Sequence, residues 1–153
     1  MRPEGKRITI LIADDDADDR LLLDRVLKQS RLYNDVRFVE DGEALLDYLY
    51  QRGPYGVPGA APRPGLILLD LNMPKKSGRE ALQEIKADPN LRAIPVVMLT
   101  TSKAEEEIYR SYDLGANSFI TKPVNFAAMV EIMNVVTSYW FSIVELPPNP
   151  LGD

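Results

Sequence analysis

Three carboxylates stand at the ends of short apolar runs. Asp14 and Asp15 follow the run Ile8–Ala13, and Asp70 ends the run Leu66–Asp70. A charged residue that ends the most apolar run costs free energy unless it is used, so Asp70 is a candidate for chemistry, whereas Asp14 and Asp15 taken alone also suit a helix cap. If folding brings the three carboxylates to about 4 Å from one another, each pair repels by roughly 4 kcal/mol, which protonation or a bound cation must relieve. Oxygen ligands without His or Cys select a hard ion, and Mg²⁺ is the natural occupant.

A hydroxyl and an amine in equivalent positions extend this set. Thr100 ends the run 95–100, and Lys122 follows the run Ser118–Thr121. Taken alone, Thr100 is an ordinary strand residue and Lys122 is as easily a surface lysine before a turn. Together with the carboxylates they indicate phosphoryl transfer. Asp70 is then the nucleophile, Lys122 and the cation neutralise charge on the transferring oxygens, and Thr100 donates a hydrogen bond.

The composition excludes several other kinds of chemistry. The chain has 153 residues, enough for one domain, and contains neither Cys nor His. This excludes disulfides, thiolate or imidazole metal sites and Ser-His-Asp catalysis. A formal net charge of −5 argues against non-specific nucleic-acid binding and against docking on an anionic membrane surface. No apolar stretch is long enough for a signal-peptide core or a membrane span, which predicts a cytoplasmic protein.

Short apolar runs alternate with segments of helical periodicity along the whole chain. Strands that alternate with helices imply right-handed βαβ crossovers, and runs of consecutive apolar residues imply strands covered on both faces. The prediction is an α/β fold, a doubly wound five-stranded parallel sheet of the flavodoxin-like type with strand order 2-1-3-4-5. The predicted strands are Ile8–Ala13, 36–39, Leu66–Asp70, 95–100 and Ser118–Thr121.

The helices that follow these strands begin with recognisable signals. Asp16, Asp18 and Asp19 suit the cap and first turn of the first helix, and Asp41 caps the second. Ser77 to Glu80 form a capping box for the third. In an open α/β sheet, ligands bind beyond the carboxyl ends of the strands where the strand order reverses. Strands one and three flank this point, so we expect their carboxylates to converge there.

Several short segments occur together in this sequence at a distinctive spacing. They are the run ending in Asp14-Asp15, the segment 66–78 with Asp70-Leu-Asn72-Met-Pro74, Thr100, and Lys122-Pro123. Together they resemble the receiver domain of response regulators, over about residues 8–140. The segments 94–106, 113–117 and 139–147 are similar to those of stand-alone receivers that are paired with bacterial phytochrome histidine kinases, and the long loop 50–65 also suits that subgroup.

The resemblance implies a site for Mg²⁺ and for phosphate. Asp70 would accept a phosphoryl group from a kinase histidine, and Lys122 would contact that group. Asp15 would bind Mg²⁺ directly, Asp14 would bind it directly or through water, and Asn72 would offer its backbone carbonyl.

The resemblance also implies a conformational switch. The hydroxyl of Thr100 would move towards phosphate while the ring of Phe119 turns inward, and the bond between Lys122 and Pro123 is usually cis in this family. Thr101 stands where many receivers carry Ala or Gly. Its bulk would restrict the attacking water, so we expect slow loss of phosphate.

The end of the chain suggests how a signal would leave the molecule. We expect residues 1–146 to form a single receiver domain, with no output domain attached, and residues 147–153 to form a disordered tail. The fifth helix, which begins near Asn125, carries more apolar surface than one face requires. Core packing explains part of the excess, and the rest predicts a homodimer through this helix and the segment up to Leu146. The loop 50–65 is either a tolerated insertion or a contact for the kinase or a second subunit.

Three other functions stand beside that of a response regulator. A Mg²⁺-dependent phosphohydrolase with an aspartyl-phosphate intermediate, of the haloacid-dehalogenase-like kind, would carry its nucleophile on the first strand and a second Asp two residues later. Here the candidate nucleophile, Asp70, is on the third strand, and the residue two positions later is Asn72. A flavodoxin-like redox carrier would need a first loop that cradles phosphate, which the acidic run 14–19 would repel. A receiver-like scaffold that is never phosphorylated is the third. The favoured function is a phosphate-accepting switch that assists only its own phosphorylation and dephosphorylation and is not an enzyme.

Overall fold

The computed structural model describes residues 8–28, 34–71, 73–100 and 118–121, together with six helical residues between 127 and 135. Five parallel strands form one sheet in the order β2-β1-β3-β4-β5, which confirms the predicted fold class and strand order. The strands are β1 (Ile8–Ala13), β2 (Asn34–Val39), β3 (Leu66–Asp70), β4 (Val96–Thr100) and β5 (Ser118–Thr121). The helices with described bounds are α1 (Ala17–Lys28), α2 (Gly42–Tyr50) and α3 (Gly78–Ala87). The predicted fourth helix and most of the fifth lie outside the described residues.

Both faces of the sheet are covered, as the consecutive apolar residues of its strands predicted. All five residues of β3 are buried. Alternate residues of β1 and β3 point to opposite faces, so Leu11 and Leu69 pack with α2 and α3 while Ile10 and Leu68 pack with α1. Within the part of the chain that is described, none of the helices combines the length and the apolar character that crossing a bilayer requires.

Side-chain caps fix where the helices begin. Asp16 Oδ1 accepts hydrogen bonds from the backbone N–H groups of Asp18 and Asp19, at 2.8 and 3.2 Å. Asp41 Oδ1 accepts from the N–H of Ala44 at 2.7 Å. Ser77 forms the predicted capping box with Glu80. Each cap satisfies a donor that the first turn of a helix leaves unpaired, and all three were predicted from the sequence.

Two strand boundaries differ from the prediction. The second strand begins at Asn34 because the ladder continues through the pairs Ile8–Asn34 and Thr9–Asp35. Thr9 Oγ1 also donates to Asp35 Oδ2 at 3.3 Å. Asn34 and Asp35 lie on an edge strand, where polar side chains are tolerated. The apolar run that predicted β2 therefore did not include them. The fourth strand begins at Val96, one residue after the predicted start, because residue 95 is a proline and has no N–H to donate to the ladder.

The loop 50–65 is fastened to the body of the domain by three side chains. Tyr48 Oη donates to the carbonyl of Pro62 at 2.8 Å, and Gln51 Nε2 donates to the carbonyl of residue 61 at 3.1 Å. Arg37 Nη1, on β2, donates to the carbonyl of residue 60 at 3.4 Å. A short 3-10 helix, Gly53–Gly56, turns the chain between these anchors and α2. Three consecutive carbonyls therefore hold one stem of the loop in place.

Tyr48→Phe tests the strongest of these anchors. We expect the free energy of unfolding to fall by about 1 kcal/mol at neutral pH, because the carbonyl of Pro62 loses its donor. Burial raises the pKa of Tyr48 from 10.0 to about 12. Because the folded state holds this proton more tightly, the hydroxyl stabilises the fold fully below pH 10, and that contribution is lost as the pH rises towards 12. Denaturant unfolding across this range should show the wild type converging on the variant, and parallel pH profiles would contradict the assignment.

Candidate functional site

Three carboxylates from two neighbouring strands meet at the carboxyl edge of the sheet. Ala13 of β1 is paired with Leu69 of β3, so Asp14 and Asp70 come next at the same level. One ligand oxygen from each of Asp14, Asp15 and Asp70 lies within 4.8 Å of the others. Asp14 is 0% exposed and Asp70 is 6% exposed, whereas Asp15 faces solvent. The convergence predicted from the strand order is therefore present in the structure.

The turn between β1 and α1 is fixed by hydrogen bonds on both sides of Asp14. Its backbone N–H donates to the carbonyl of Val39 at 3.1 Å, which ties the end of β1 to the end of β2. Its Oδ1 accepts from the N–H of Asp16 at 2.9 Å. Asp16 in turn caps α1, so one continuous set of contacts runs from the sheet through the carboxylate into the helix.

Arg20 is part of this site and was missed from the sequence. Its Nη1 donates to the carbonyl of Asp14 at 2.9 Å, and its Nη2 lies 3.4 Å from Glu40 Oε1. The side chain of Arg20 is 20% exposed, and that of Glu40 is 73% exposed. Arg20 thus connects α1 to the ends of β1 and β2 beside the acidic cluster. A single basic residue after an acidic run is the sole signal in the sequence, and it does not distinguish this role from that of a surface arginine.

The chain turns back on itself immediately after Asp70. The N–H of Leu71 donates to the carbonyl of Leu99 at 2.9 Å, which extends the contact between β3 and β4. The N–H of Gly78 then donates to the carbonyl of Leu71, also at 2.9 Å, and closes the base of the loop. A Cβ atom on Gly78 would lie 2.9 Å from the carbonyl carbon of Asp70 and closer still to its oxygen, so this return requires glycine.

Of the remaining predicted site residues, the structure describes only the backbone positions of Thr100 and Phe119. Asp70 is paired with Leu99, and Thr100 is paired with Thr121, so Thr100 ends β4 at the same edge as the carboxylates. Phe119 lies within β5, opposite Met98. The side chains of Thr100 and Phe119 lie outside the described part of the structure. So do Asn72, Thr101, Lys122 and Pro123 with the predicted cis bond, and the segment 136–146 of the predicted dimer interface.

The acidic cluster has the character of a site for a hard cation. Its ligands are carboxylate oxygens, which suit a hard divalent ion. At a separation of 4.8 Å and an effective dielectric near 20, each pair of charges repels by about 3 kcal/mol before relaxation. A divalent cation at this point would convert the repulsion into attraction, so the residues fit a metal ion.

Comparison with known proteins gives consistent matches over nearly the whole chain. Residues 10–134 match the family model of the response regulator receiver domain. The chain is 43% identical over 141 residues to the response regulator Rcp1 of Synechocystis sp., which covers 92% of this chain and 93% of that protein. Its structure is similar to that of the phosphorylated cyanobacterial phytochrome response regulator RcpA, with a TM-score of 0.84, 42% identity and coverage of 93% and 99%. It is also similar to the Mn²⁺-bound form of Rcp1, with a TM-score of 0.82, 42% identity and coverage of 92% and 99%.

Proposed function

Because the chain belongs to the response regulator receiver domain family, we propose that Asp70 accepts a phosphoryl group from the phosphohistidine of a sensor histidine kinase. The observation that carries this proposal is the meeting of the carboxylates of Asp14, Asp15 and Asp70 within 4.8 Å. Asp70 is buried at the end of the central strand, and a carboxylate is the nucleophile that aspartyl-phosphate chemistry uses.

The transfer requires one bond to form and one to break. A carboxylate oxygen of Asp70 bonds to phosphorus while the bond between phosphorus and the kinase imidazole nitrogen breaks. The electron pair leaves with the imidazole, which takes up one proton. Hydrolysis later returns Asp70 to a carboxylate and releases inorganic phosphate. Asp70 is thus a phosphoacceptor that is consumed and restored, which differs from an enzyme that turns over an external substrate.

Asp14, Asp15 and Asp70, with the backbone carbonyl of Asn72, are the residues that would hold Mg²⁺. When bound, the cation neutralises charge on the transferring oxygens. Mg²⁺ is our choice because a few carboxylates on an open edge of the sheet leave room for the water ligands that this ion keeps. The Mn²⁺-bound form of Rcp1 supports a divalent ion in a relative.

Five further residues complete the proposed chemistry. Lys122 would contact the phosphoryl group, and its bond to Pro123 would be cis. The hydroxyl of Thr100 would move towards that group and donate a hydrogen bond to it, and the ring of Phe119 would turn inward at the same time. Thr101 would restrict the attacking water and prolong the phosphorylated state. The common edge of β4 and β5 supports this assignment, because Thr100 and Thr121 are paired at the level where Lys122 follows in the sequence.

The proposed partner is a sensor histidine kinase of the phytochrome type, and the proposed location of this chain is the cytoplasm. The support for this partner is the similarity to RcpA, which is a phytochrome response regulator.

We also propose a homodimer through the fifth helix and the segment up to Leu146. Ile132 packs against the core on the α1 side of the sheet, while Val135 is 65% exposed. The net charge of −5 is consistent with a protein partner and not with nucleic acid.

Chemical trapping of the phosphorylated protein tests this function. The chain is mixed with an autophosphorylated phytochrome-type kinase and Mg²⁺, and the acyl phosphate is reduced with borohydride, which converts the modified Asp to homoserine. We expect homoserine at position 70 in peptide mass spectra, and none when a chelator is present before the kinase. Homoserine at another position, or steady turnover of a small phosphate ester without a kinase, would contradict the proposal.

A further inference from the structure

The N-terminus of α2 rests on the loop that follows Asp70. This loop connects Asp70 to α3 and includes Lys75 and Lys76. The backbone N–H of Gly42, the first residue of α2, donates to the carbonyl of Lys76 at 3.1 Å. Gly42 is buried in this contact. Two elements that are far apart in the sequence therefore meet backbone to backbone, after the carboxyl ends of β2 and β3.

The contact between Gly42 and Lys76 has no room for a side chain. A Cβ atom on Gly42 would lie 2.7 Å from the carbonyl carbon and from the Cβ of Lys76, and closer still to the carbonyl oxygen. A Cβ atom essentially never comes within 3.0 Å of a heavy atom from another part of the chain, so the helix or the loop would have to shift. Since Gly42 is not among the residues with positive φ, space and not backbone conformation requires glycine here.

The loop has little freedom to absorb such a shift. Lys75 already has a φ of 66°, in the left-handed region that few side chains adopt. The N–H of Lys76 donates to the carbonyl of Pro74 at 2.7 Å, and its side chain pairs with Glu84 on α3. Lys75 Nζ lies 3.7 Å from Asp41 Oδ2, the carboxylate that caps α2. A displacement of the Lys76 carbonyl would therefore disturb the contacts that hold Lys75 and Lys76 in the loop.

We propose that Gly42 is a positioning residue for the metal site. By allowing α2 to rest on the carbonyl of Lys76, it fixes the course of the described part of the loop after Asp70, and with it the position of the Asp70 carboxylate. Gly42 touches neither the cation nor the phosphoryl group and acts only through the loop. The inference rests on the proposed function, because the affinity for Mg²⁺ is its readout.

Gly42→Ala in the full chain provides the test. We expect calorimetric titration to show an Mg²⁺ dissociation constant raised about tenfold, in the range seen when residues that support metal ligands are replaced. At saturating Mg²⁺, phosphoryl incorporation should return to near the wild-type rate, because the reacting groups are unchanged. Gly56→Ala is the matched control, since a Cβ there meets only the carbonyl of Gln51 at 3.4 Å, and its dissociation constant should equal that of the wild type.

A second pair of variants covers the case in which Gly42→Ala does not fold. Asp41→Ala removes both the cap of α2 and the ion pair with Lys75, whereas Asp41→Asn keeps a capping oxygen and removes only the charge. We expect Asp41→Ala to bind Mg²⁺ about threefold more weakly than Asp41→Asn, because only the former loosens the start of α2.

The outcomes separate the inference from the proposed function. If Gly42→Ala lowers Tm but binds Mg²⁺ as the wild type does, the glycine is only a packing residue and the inference is overturned. Equal dissociation constants for the two Asp41 variants overturn it in the same way when Gly42→Ala cannot be measured. A wild-type protein that binds no Mg²⁺ overturns the proposed function itself, and the positioning role with it.

Discussion

Asp70→Asn should reduce phosphoryl incorporation from a phosphorylated kinase by about a thousandfold or more, because a neutral amide replaces the nucleophile. The neighbouring acids are poor substitutes. Asp14 is fully buried and held by the N–H of Asp16, and Asp15 lies on the solvent side of the cluster. The measurement is the initial rate of label transfer in excess Mg²⁺, from the same kinase preparation for the wild type and the variant.

Asp88→Asn is a suitable control for this experiment. Asp88 ends α3, and its Oδ1 accepts from the N–H of Asn90 at 2.7 Å, a bond that an asparagine oxygen can also accept. Since α3 is ten residues long, this substitution lies about 15 Å along the helix from the site. We expect the control to transfer label at the wild-type rate. Full labelling of Asp70→Asn would mean that another residue is the acceptor.

Asp14→Asn should make the metal-free protein more stable than the wild type, by about 1–3 kcal/mol. The carboxylate of Asp14 is 0% exposed, and the cluster holds it within 4.8 Å of two other acids. Removing its charge relieves both repulsions and the desolvation cost. The asparagine oxygen can still accept from the N–H of Asp16, so the turn into α1 should remain. Guanidinium unfolding in the presence of a chelator measures the difference.

Excess Mg²⁺ should reverse that order. A ligand that binds only the folded state adds stability according to its affinity, and the variant has lost one of the charges that attract the cation. Asp18→Asn serves as a control because Asp18 is exposed in the first turn of α1, where losing the charge costs only a few tenths of a kcal/mol. A metal-free Asp14→Asn protein less stable than the wild type would show that the cluster is not under electrostatic strain.

Local patterns predicted the sheet and the beginnings of its helices well. The apolar runs identified β1, β3 and β5 with their observed bounds, because these strands pack on both sides or lie between turn signals. The caps Asp41 and Ser77 were predicted because a cap involves residues only a few positions apart. The start of β2 was not, because pairing with β1 and not apolar burial recruits its polar residues.

The candidate site was predictable where topology alone decides it. Parallel strands end at a common edge, and because strands one and three are neighbours in the predicted order, this places Asp14 and Asp70 together. Arg20 and Gly42 were missed because their contacts join residues whose proximity depends on how helices pack on the sheet. In the sequence, Arg20 cannot be distinguished from an ordinary surface arginine. In the same way, Gly42 cannot be distinguished from a glycine that merely begins a helix.

The fastened loop 50–65 has a consequence for labelling the protein. It leads from the end of α2 into the start of β3, where the N–H of Gly65 donates to the carbonyl of Thr9, so it lies at the amino edge of the sheet. The five residues of β3 separate that edge from Asp70, a distance of about 16 Å. The tip of the loop is exposed, with Val57 at 64%, whereas Gly59 has a φ of 82° and is best kept as glycine. A fluorophore or epitope inserted beside Val57 would sit on a loop whose stem is held by the hydrogen bonds of Arg37, Tyr48 and Gln51, and it would leave the acceptor edge open to a kinase.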